Sequence, residues 1–205
     1  MDSRRRRISA ATVLLAVVGL LLWGGPGATC SVRGEEAAPA SEGEWINTTA
    51  HISTSHGIIV VELADEWAPV TVANFVSLAD QAFYDGMRFH RVIDDFVIQT
   101  GDPNSKDNNP YNDGSGGSDR TIPLEIHENL THEDGAIGMA RSNDPDSASS
   151  QFYICDGPQY GLDGNYAVFG KVVEGMDIVH KLAAVPTGAG DRPVDPPKLL
   201  SVSIQ

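Results

Sequence analysis

The stretch RFHRVIDDFVIQTGDP, from Arg88 to Pro103, decides the fold expected for this chain of 205 residues. Two runs of β-type residues, Arg88–Ile93 and Phe96–Thr100, are joined by Asp94-Asp95, and a two-residue link of this kind predicts a hairpin. Arg91 lies in the first run, among apolar residues. Because arginine is almost never buried unpaired, its guanidinium must reach water or meet an acceptor on a ligand.

Outside this hairpin, the pattern of β-branched and aromatic residues predicts six more strands and two helices. Pro69 is suited to the first turn of one helix, and Gly175–Val185 has the apolar spacing of the other. Many short strands with two helices favour a mainly β fold, a closed eight-stranded antiparallel β-barrel capped by two α-helices. The six strands are expected at His51–Ser55, Ile58–Leu63, Gly135–Arg141, Ser149–Cys155, Tyr166–Val173 and Lys198–Ile204.

The N-terminal part of the chain has the pattern of an export signal. Four arginines, Arg4 to Arg7, precede the uncharged, mostly apolar run Ile8–Trp23. We therefore expect residues 1–30 to be a signal peptide or membrane anchor, 31–45 an acidic tether, and 46–205 the folded domain. The protein is expected to be exported to the cell envelope or periplasm. It would be released, lipid-anchored at Cys30, or held by the N-terminal segment, which would be its one link to a membrane.

Composition excludes some classes of function. The chain has 14 basic and 28 acidic residues, so binding to a nucleic acid backbone is not expected. Its two cysteines, Cys30 and Cys155, do not have the spacing of a zinc site, and we expect neither a metal nor a cofactor. The long loop 104–120 and the histidines His127 and His132 are interpreted as polar loops rather than calcium or metal sites.

Three separated blocks of sequence carry a resemblance to a known family. They are FHRVIDDFVIQTGDP at 89–103, GAIGMAR with SSQFYIC at 135–155, and LDGNYAVFGKVV at 162–173. Together they resemble the cyclophilin-type peptidyl-prolyl cis-trans isomerases over nearly all of residues 50–205. MAR, where eukaryotic members have MAN, favours a bacterial member.

The resemblance implies a site and its substrates. Arg91 and Gln99 match the catalytic pair, and proline-containing peptides and unfolded or partly folded proteins are the expected partners of a monomeric enzyme. Since Val97 and Phe96 point to opposite faces of a regular strand, the chain must bend near Asp95 for both to reach one pocket. The expected substrate-binding residues are Phe96, Val97, Ala140, Arg141, Gln151, Tyr153, Leu162 and Tyr166.

This chemistry needs no nucleophile. Rotation about an X-Pro bond breaks amide resonance, at a barrier of about 18–20 kcal/mol. A donor near the prolyl nitrogen and a dry pocket for the ring can lower it. The alternative is a proline-peptide binding scaffold or holdase with little turnover. Tyr153 stands where many members have Phe, so its hydroxyl needs a partner. Gly161 replaces a tryptophan associated with tight cyclosporin binding, so weak cyclosporin sensitivity is expected.

Overall fold

A computed structural model describes residues 48–205 of the protein, and the predictions for the signal, the tether and Cys30 lie outside this range. Eight strands and two α-helices are present in it, as the sequence predicts. In this part of the chain no helix has the length and hydropathy needed to cross a membrane. The strands are β1 Thr49–Thr54, β2 Gly57–Leu63, β3 Arg91–Ile93, β4 Val97–Thr100, β5 Ala136–Met139, β6 Phe152–Cys155, β7 Val168–Glu174 and β8 Leu199–Ile204; the helices are α1 Pro69–Asp80 and α2 Met176–Ala183.

All eight strands form one antiparallel sheet in the order β3-β4-β6-β5-β7-β2-β1-β8. The expected closed barrel is wrong, because the sheet is an open, curled half-barrel in which β3 and β8 share no ladder. The segment before β3 reaches β8 through one isolated bridge, Arg88 to Lys198, and a hydrogen bond from the Leu199 N–H to the Met87 carbonyl (2.8 Å). β3 is only three residues long, and Pro197 has no N–H with which to extend the ladder.

The hairpin of β3 and β4 differs in its turn from the prediction. The link contains three residues, Asp94 to Phe96, because Ile93 and Val97 form the last pair of the ladder. Asp95 has a φ of 55°, a left-handed conformation that is uncommon for a residue other than glycine. The bend that was expected near Asp95 is therefore present, and it releases Phe96 from the alternation of the strand.

Helix α1 covers the curled sheet with one apolar face, on which Val72, Phe75 and Leu78 are buried. Phe75 contacts the rings of Phe152 and Phe169 at centroid distances of 5.4 and 5.3 Å, which places these aromatic rings at the centre of the core. Its first turn has no side-chain cap from Ala68. The carboxylate of Glu125 accepts the N–H groups of Val70 and Thr71 instead, and this anchors a distant loop to the helix.

Candidate active site

One row of residues crosses four strands on the same face of the sheet. Arg91 on β3 pairs with Gln99 on β4, Gln99 pairs with Tyr153 on β6, and Tyr153 pairs with Gly138 on β5. Antiparallel pairing brings these positions side by side although they are far apart in the sequence. The hairpin and β6 therefore form one surface, as their shared pattern of polar and aromatic residues predicts.

Arg91, Gln99 and Gln151 form a chain of hydrogen bonds that we call the polar strip. The Arg91 Nη1 group donates to Gln99 Oε1 over 3.4 Å, and Gln99 Nε2 donates to Gln151 Oε1 over 2.9 Å. Gln151 Nε2 donates in turn to the backbone carbonyls of Gly114 (3.0 Å) and Gly116 (2.7 Å). Both glutamine amides are thus held in one orientation, and the arginine is steered by the first of them.

The guanidinium of Arg91 is open to the groove, since its side chain is 38% exposed. Its Nε lies 3.5 Å from the carboxylate of Asp191, and its Cζ lies 5.9 Å from the centre of the Phe96 ring. The hydrogen bond to Gln99 is long and the ion pair is exposed, so both hold the arginine only weakly. A ligand in the groove can therefore meet its N–H groups directly.

Beside the polar strip lies an apolar cluster, which we call the floor. Val97, Ala136, Tyr153, Cys155 and Val168 are its buried members. The structure brings the predicted pocket residues together here, because the partly buried Phe96, Ala140, Leu162 and Tyr166 pack against it. Burial raises the pKa of the Tyr153 hydroxyl far above its usual range and that of the Cys155 thiol to about 12. Both groups are neutral and the floor is dry.

Phe96 reaches the floor because its loop is held from two sides. The Asp156 side chain accepts the Asp95 N–H (3.0 Å), and the Asp156 N–H donates to the Phe96 carbonyl (2.9 Å). Asp156 Oδ1 also contacts His180 Nδ1 of α2 at 2.6 Å, and this raises the pKa of His180. Asp94, Asp95 and Asp156 lie close enough to share a cation, but the internal partners of Asp156 account for its position.

Arg141, one of the predicted binding residues, lies at the rim of the floor. Its guanidinium stacks on the Tyr166 ring with Cζ 4.6 Å from the ring centre, and it donates to the Asn165 carbonyl (2.7 and 2.9 Å). Ala140 uses its backbone N–H to donate to the Gln151 carbonyl (2.9 Å). A peptide that pairs with this segment would therefore use its carbonyl groups or the N–H of Arg141.

Gly138 belongs to the site although the sequence analysis passed over it. A Cβ atom at this position would lie 2.6 Å from both Cζ and the hydroxyl oxygen of Tyr153. The absence of a side chain makes room for the end of the tyrosine ring. A glycine inside the strand GAIGMAR was the available signal, because it often marks the close approach of another group.

The long loop 104–120 also belongs to the site. Asp102, which is fully buried, accepts the N–H groups of Asn104 (2.8 Å) and Gly114, so it ties both arms of the loop to the end of β4. Arg192 donates to the Pro110 carbonyl and forms an ion pair with Asp113 at 2.6 Å. The loop walls two cavities, of about 350 and 360 Å³, and Gln99 of the polar strip lines both.

His90, next to Arg91 in the sequence, lines the larger of these cavities. It is buried, and desolvation lowers its pKa although Asp102 and Asp113 oppose that shift. Neither ring nitrogen has a hydrogen-bond partner among the described residues. We assign His90 no catalytic role.

The interpretation of His132 as a polar loop residue is wrong. His132 is fully buried; its Nε2 lies 2.9 Å from the Tyr153 hydroxyl and its Nδ1 lies 2.6 Å from Asp163 Oδ1. His127 turns elsewhere and stacks on Trp67 at 5.5 Å. The two histidines therefore do not share a metal site. The partner that the Tyr153 hydroxyl needs is His132.

The described groove contains donors and apolar surface, and no side chain in it is paired as a nucleophile with a base. The neighbouring Ser150 donates its hydroxyl to the Gly101 carbonyl (2.8 Å), and its side chain is buried. Such a site fits a protein that binds a peptide and acts on its conformation without forming a covalent intermediate.

Comparison with known proteins gives the family. A family model described as cyclophilin type peptidyl-prolyl cis-trans isomerase/CLD matches residues 49–204. The chain is 40% identical over 152 residues to peptidyl-prolyl cis-trans isomerase ppi1 of Schizosaccharomyces pombe, covering 73% of this chain and 94% of that protein. It is 36% identical over 159 residues to the human peptidyl-prolyl cis-trans isomerase-like 1, covering 76% of this chain and 92% of that one.

Solved structures agree. The crystal structure of a cyclophilin type peptidyl-prolyl cis-trans isomerase of Cryptosporidium parvum superposes with a TM-score of 0.72 at 28% identity, covering 78% of this chain and 98% of that one. A second structure, determined in the presence of the dipeptide Ala-Pro, gives a TM-score of 0.71. The chain belongs to the cyclophilin-type peptidyl-prolyl cis-trans isomerase family, and it is an isomerase.

Proposed function

We propose that this isomerase lowers the barrier to X-Pro rotation with the Arg91 guanidinium, above a floor that holds the proline ring. The observation that carries the proposal is the position of Arg91. Its guanidinium is exposed to the groove, while Gln99 lies at 3.4 Å on one side and the Phe96 ring at 5.9 Å on the other. This places a charged donor beside dry apolar surface.

The proposed chemistry follows from what rotation does to the amide. As the bond twists, the prolyl nitrogen loses resonance and becomes a better acceptor, so a nearby N–H donor binds the transition state more tightly than the ground state. Arg91 would supply this donor. Gln99 and Gln151 would orient Arg91 and the peptide backbone, and Phe96, Val97, Tyr153, Leu162 and Tyr166 would hold the ring.

For substrates we propose proline-containing peptides and unfolded or partly folded proteins, which the enzyme would bind as a monomer without a cofactor. The groove runs along exposed parts of Ala140 and Arg141, whose carbonyl groups suit an extended peptide. The crystal structure of the Cryptosporidium parvum relative in the presence of Ala-Pro supports this choice.

For location we propose export to the cell envelope or periplasm, where the enzyme would assist the folding of exported proteins. The support is the sequence of residues 1–30, with its arginines followed by the apolar run Ile8–Trp23. The bacterial affinity favoured by MAR at 139–141 rests on the sequence as well, since the two relatives named above come from a yeast and from human.

We also propose weak binding of cyclosporin. Gly161, at the position where the resemblance places a tryptophan, has open space around it and offers no side chain to such a ligand. An inhibition titration that gives tight binding would contradict this.

The experiment that tests the proposed catalysis follows the relaxation of a proline peptide whose cis and trans forms are distinguishable. We expect the purified protein to accelerate relaxation, and Arg91→Ala to reduce kcat/KM by about 100-fold, since loss of one preorganised donor typically costs 10²–10³ in rate. Arg120→Ala, in the distal loop, is the matched control.

If Arg91→Ala keeps full activity, the role given to Arg91 is wrong. If the protein itself binds the peptide but gives no more than the spontaneous rate, the alternative of a proline-peptide scaffold or holdase is correct.

A further inference from the structure

The hydroxyl of Tyr153 ends in a fully enclosed part of the molecule. Tyr153 is 5% exposed, and its hydroxyl contacts His132, which is 0% exposed. The two rings lie almost parallel, with centroids 6.0 Å apart. The hydroxyl therefore points into the protein, away from the open side of the groove.

The hydrogen bonds of this group have a defined direction. An ionised carboxylate can only accept, so the Asp163 Oδ1 atom at 2.6 Å requires a hydrogen on His132 Nδ1. In the neutral imidazole this leaves Nε2 as an acceptor for the Tyr153 hydroxyl hydrogen. The same Asp163 oxygen accepts the backbone N–H of His132 (2.8 Å), and the Gln159 N–H donates to the His132 carbonyl (2.6 Å). The imidazole is thus fixed from both sides.

We propose that Asp163, His132 and Tyr153 form a buried relay that sets the position of the tyrosine ring in the proline pocket. His132 and Asp163 are then positioning residues for the isomerase reaction. This inference rests on the proposed function, in which Tyr153 lines that pocket. The relay lets a tyrosine present an apolar ring to the proline, because its polar end is satisfied on the far side.

The surroundings leave the ring few other positions. Gly138 lies directly beside Cζ and the hydroxyl, so the ring cannot move closer to β5. Without His132 the hydroxyl would be a buried polar group with no partner, and it would be drawn towards the groove to reach water. Asp163 also follows Leu162, which packs against the floor, so the relay connects the rim of the pocket to its base.

A double-mutant cycle on the full chain tests the relay. We expect His132→Leu to lower kcat/KM for a proline peptide by about tenfold, because it leaves one buried hydroxyl unsatisfied. In a Tyr153→Phe background the same substitution should cost less than about twofold, because no hydroxyl remains to be satisfied. His127→Leu, a histidine of the same loop that contacts Trp67 instead, is the matched control and should leave both rates unchanged.

Equal losses in the two backgrounds, or no loss in either, would overturn the relay. Thermal unfolding of each variant checks that it is folded. If His132→Leu is not, Asp163→Asn takes its place: its amide can donate to Nδ1 and move the imidazole hydrogen to Nε2, which then cannot accept from Tyr153. The same dependence on the background is expected.

The rate of the unmodified protein separates the two proposals. If it binds the peptide without acceleration, the proposed catalysis fails, and the cycle is then measured as changes in peptide Kd by calorimetry. A Kd that rises about tenfold with His132→Leu in the Tyr153 background alone supports the relay even then. Equal changes of Kd in both backgrounds overturn it.

Discussion

The polar strip and the floor come from the same faces of the same strands, yet they are built in opposite ways. Gln99 and Val97 are two residues apart on β4, and Gln151 and Tyr153 are two residues apart at the start of β6. In the strip, Arg91 is held by a hydrogen bond of 3.4 Å and by an exposed ion pair. In the floor, Tyr153 is held by close packing and by a histidine with no exposed surface.

This difference has a physical consequence for each region. Interactions in the strip compete with water and salt, so each contributes little alone and the arginine can adjust to a ligand. The floor is close-packed, and a change of one methyl group there has nowhere to go. We therefore expect substitutions in the floor to act through shape, and those in the strip through graded loss of hydrogen bonds.

The largest effect is expected for Gly138→Ala. Its methyl group would lie 2.6 Å from Cζ of Tyr153, so the ring must leave its position in the pocket. We expect kcat/KM to fall more than tenfold, together with a stability loss of about 1–3 kcal/mol typical of overpacking. Gly161→Ala, with no atom within 4 Å of the added carbon, is the control for stability in denaturant unfolding. A Gly138→Ala enzyme with normal activity would show that the floor is soft.

An intermediate effect is expected for Gln151→Glu. The glutamate keeps an acceptor for Gln99 but cannot donate to the carbonyls of Gly114 and Gly116. With about 1 kcal/mol lost for a typical hydrogen bond, kcat/KM should fall about fivefold. Steady-state kinetics check this, with the exposed Gln81→Glu at the end of α1 as the control. A loss as large as that of Gly138→Ala would mean that the strip is as rigid as the floor.

The smallest effect is expected for Asp191→Asn, which removes the exposed ion pair with Arg91. The change in kcat/KM should be at most about twofold at low salt and should disappear as the ionic strength rises towards 1 M. Measuring both proteins along a salt series tests this. A large effect that persists in high salt would show that Asp191 fixes Arg91 in place.

Much of the strip could be predicted from the sequence, because alternation along short strands assigns Gln99 and Tyr153 to one face without knowledge of the fold. The bend at Asp95 was also predictable, since Phe96 could not otherwise join Val97. The family resemblance added the roles. These expectations depend on local geometry, which the sequence states directly.

The remaining features depend on contacts between distant segments. His132 lies on a loop without periodicity, and its partner Tyr153 is 21 residues away, so it was taken for a polar loop residue. A tyrosine at an apolar pocket position was the signal that a buried partner had to exist. Sheet closure failed for a similar reason: strand number suggests a barrel, but the short β3 and Pro197 decide whether its edges meet.

The anchoring of the loop 104–120 has a consequence for a chain that is cut. Tyr111 at its tip is 95% exposed, whereas the arms on either side are tied to Asp102, Arg192 and Gln151. A protease that cleaves after Tyr111 would produce two fragments, each carrying part of the polar strip. Because strands from both fragments share one sheet, the nicked protein would stay assembled and keep its groove. The loop tip is thus a natural place at which to divide this enzyme into two complementing halves.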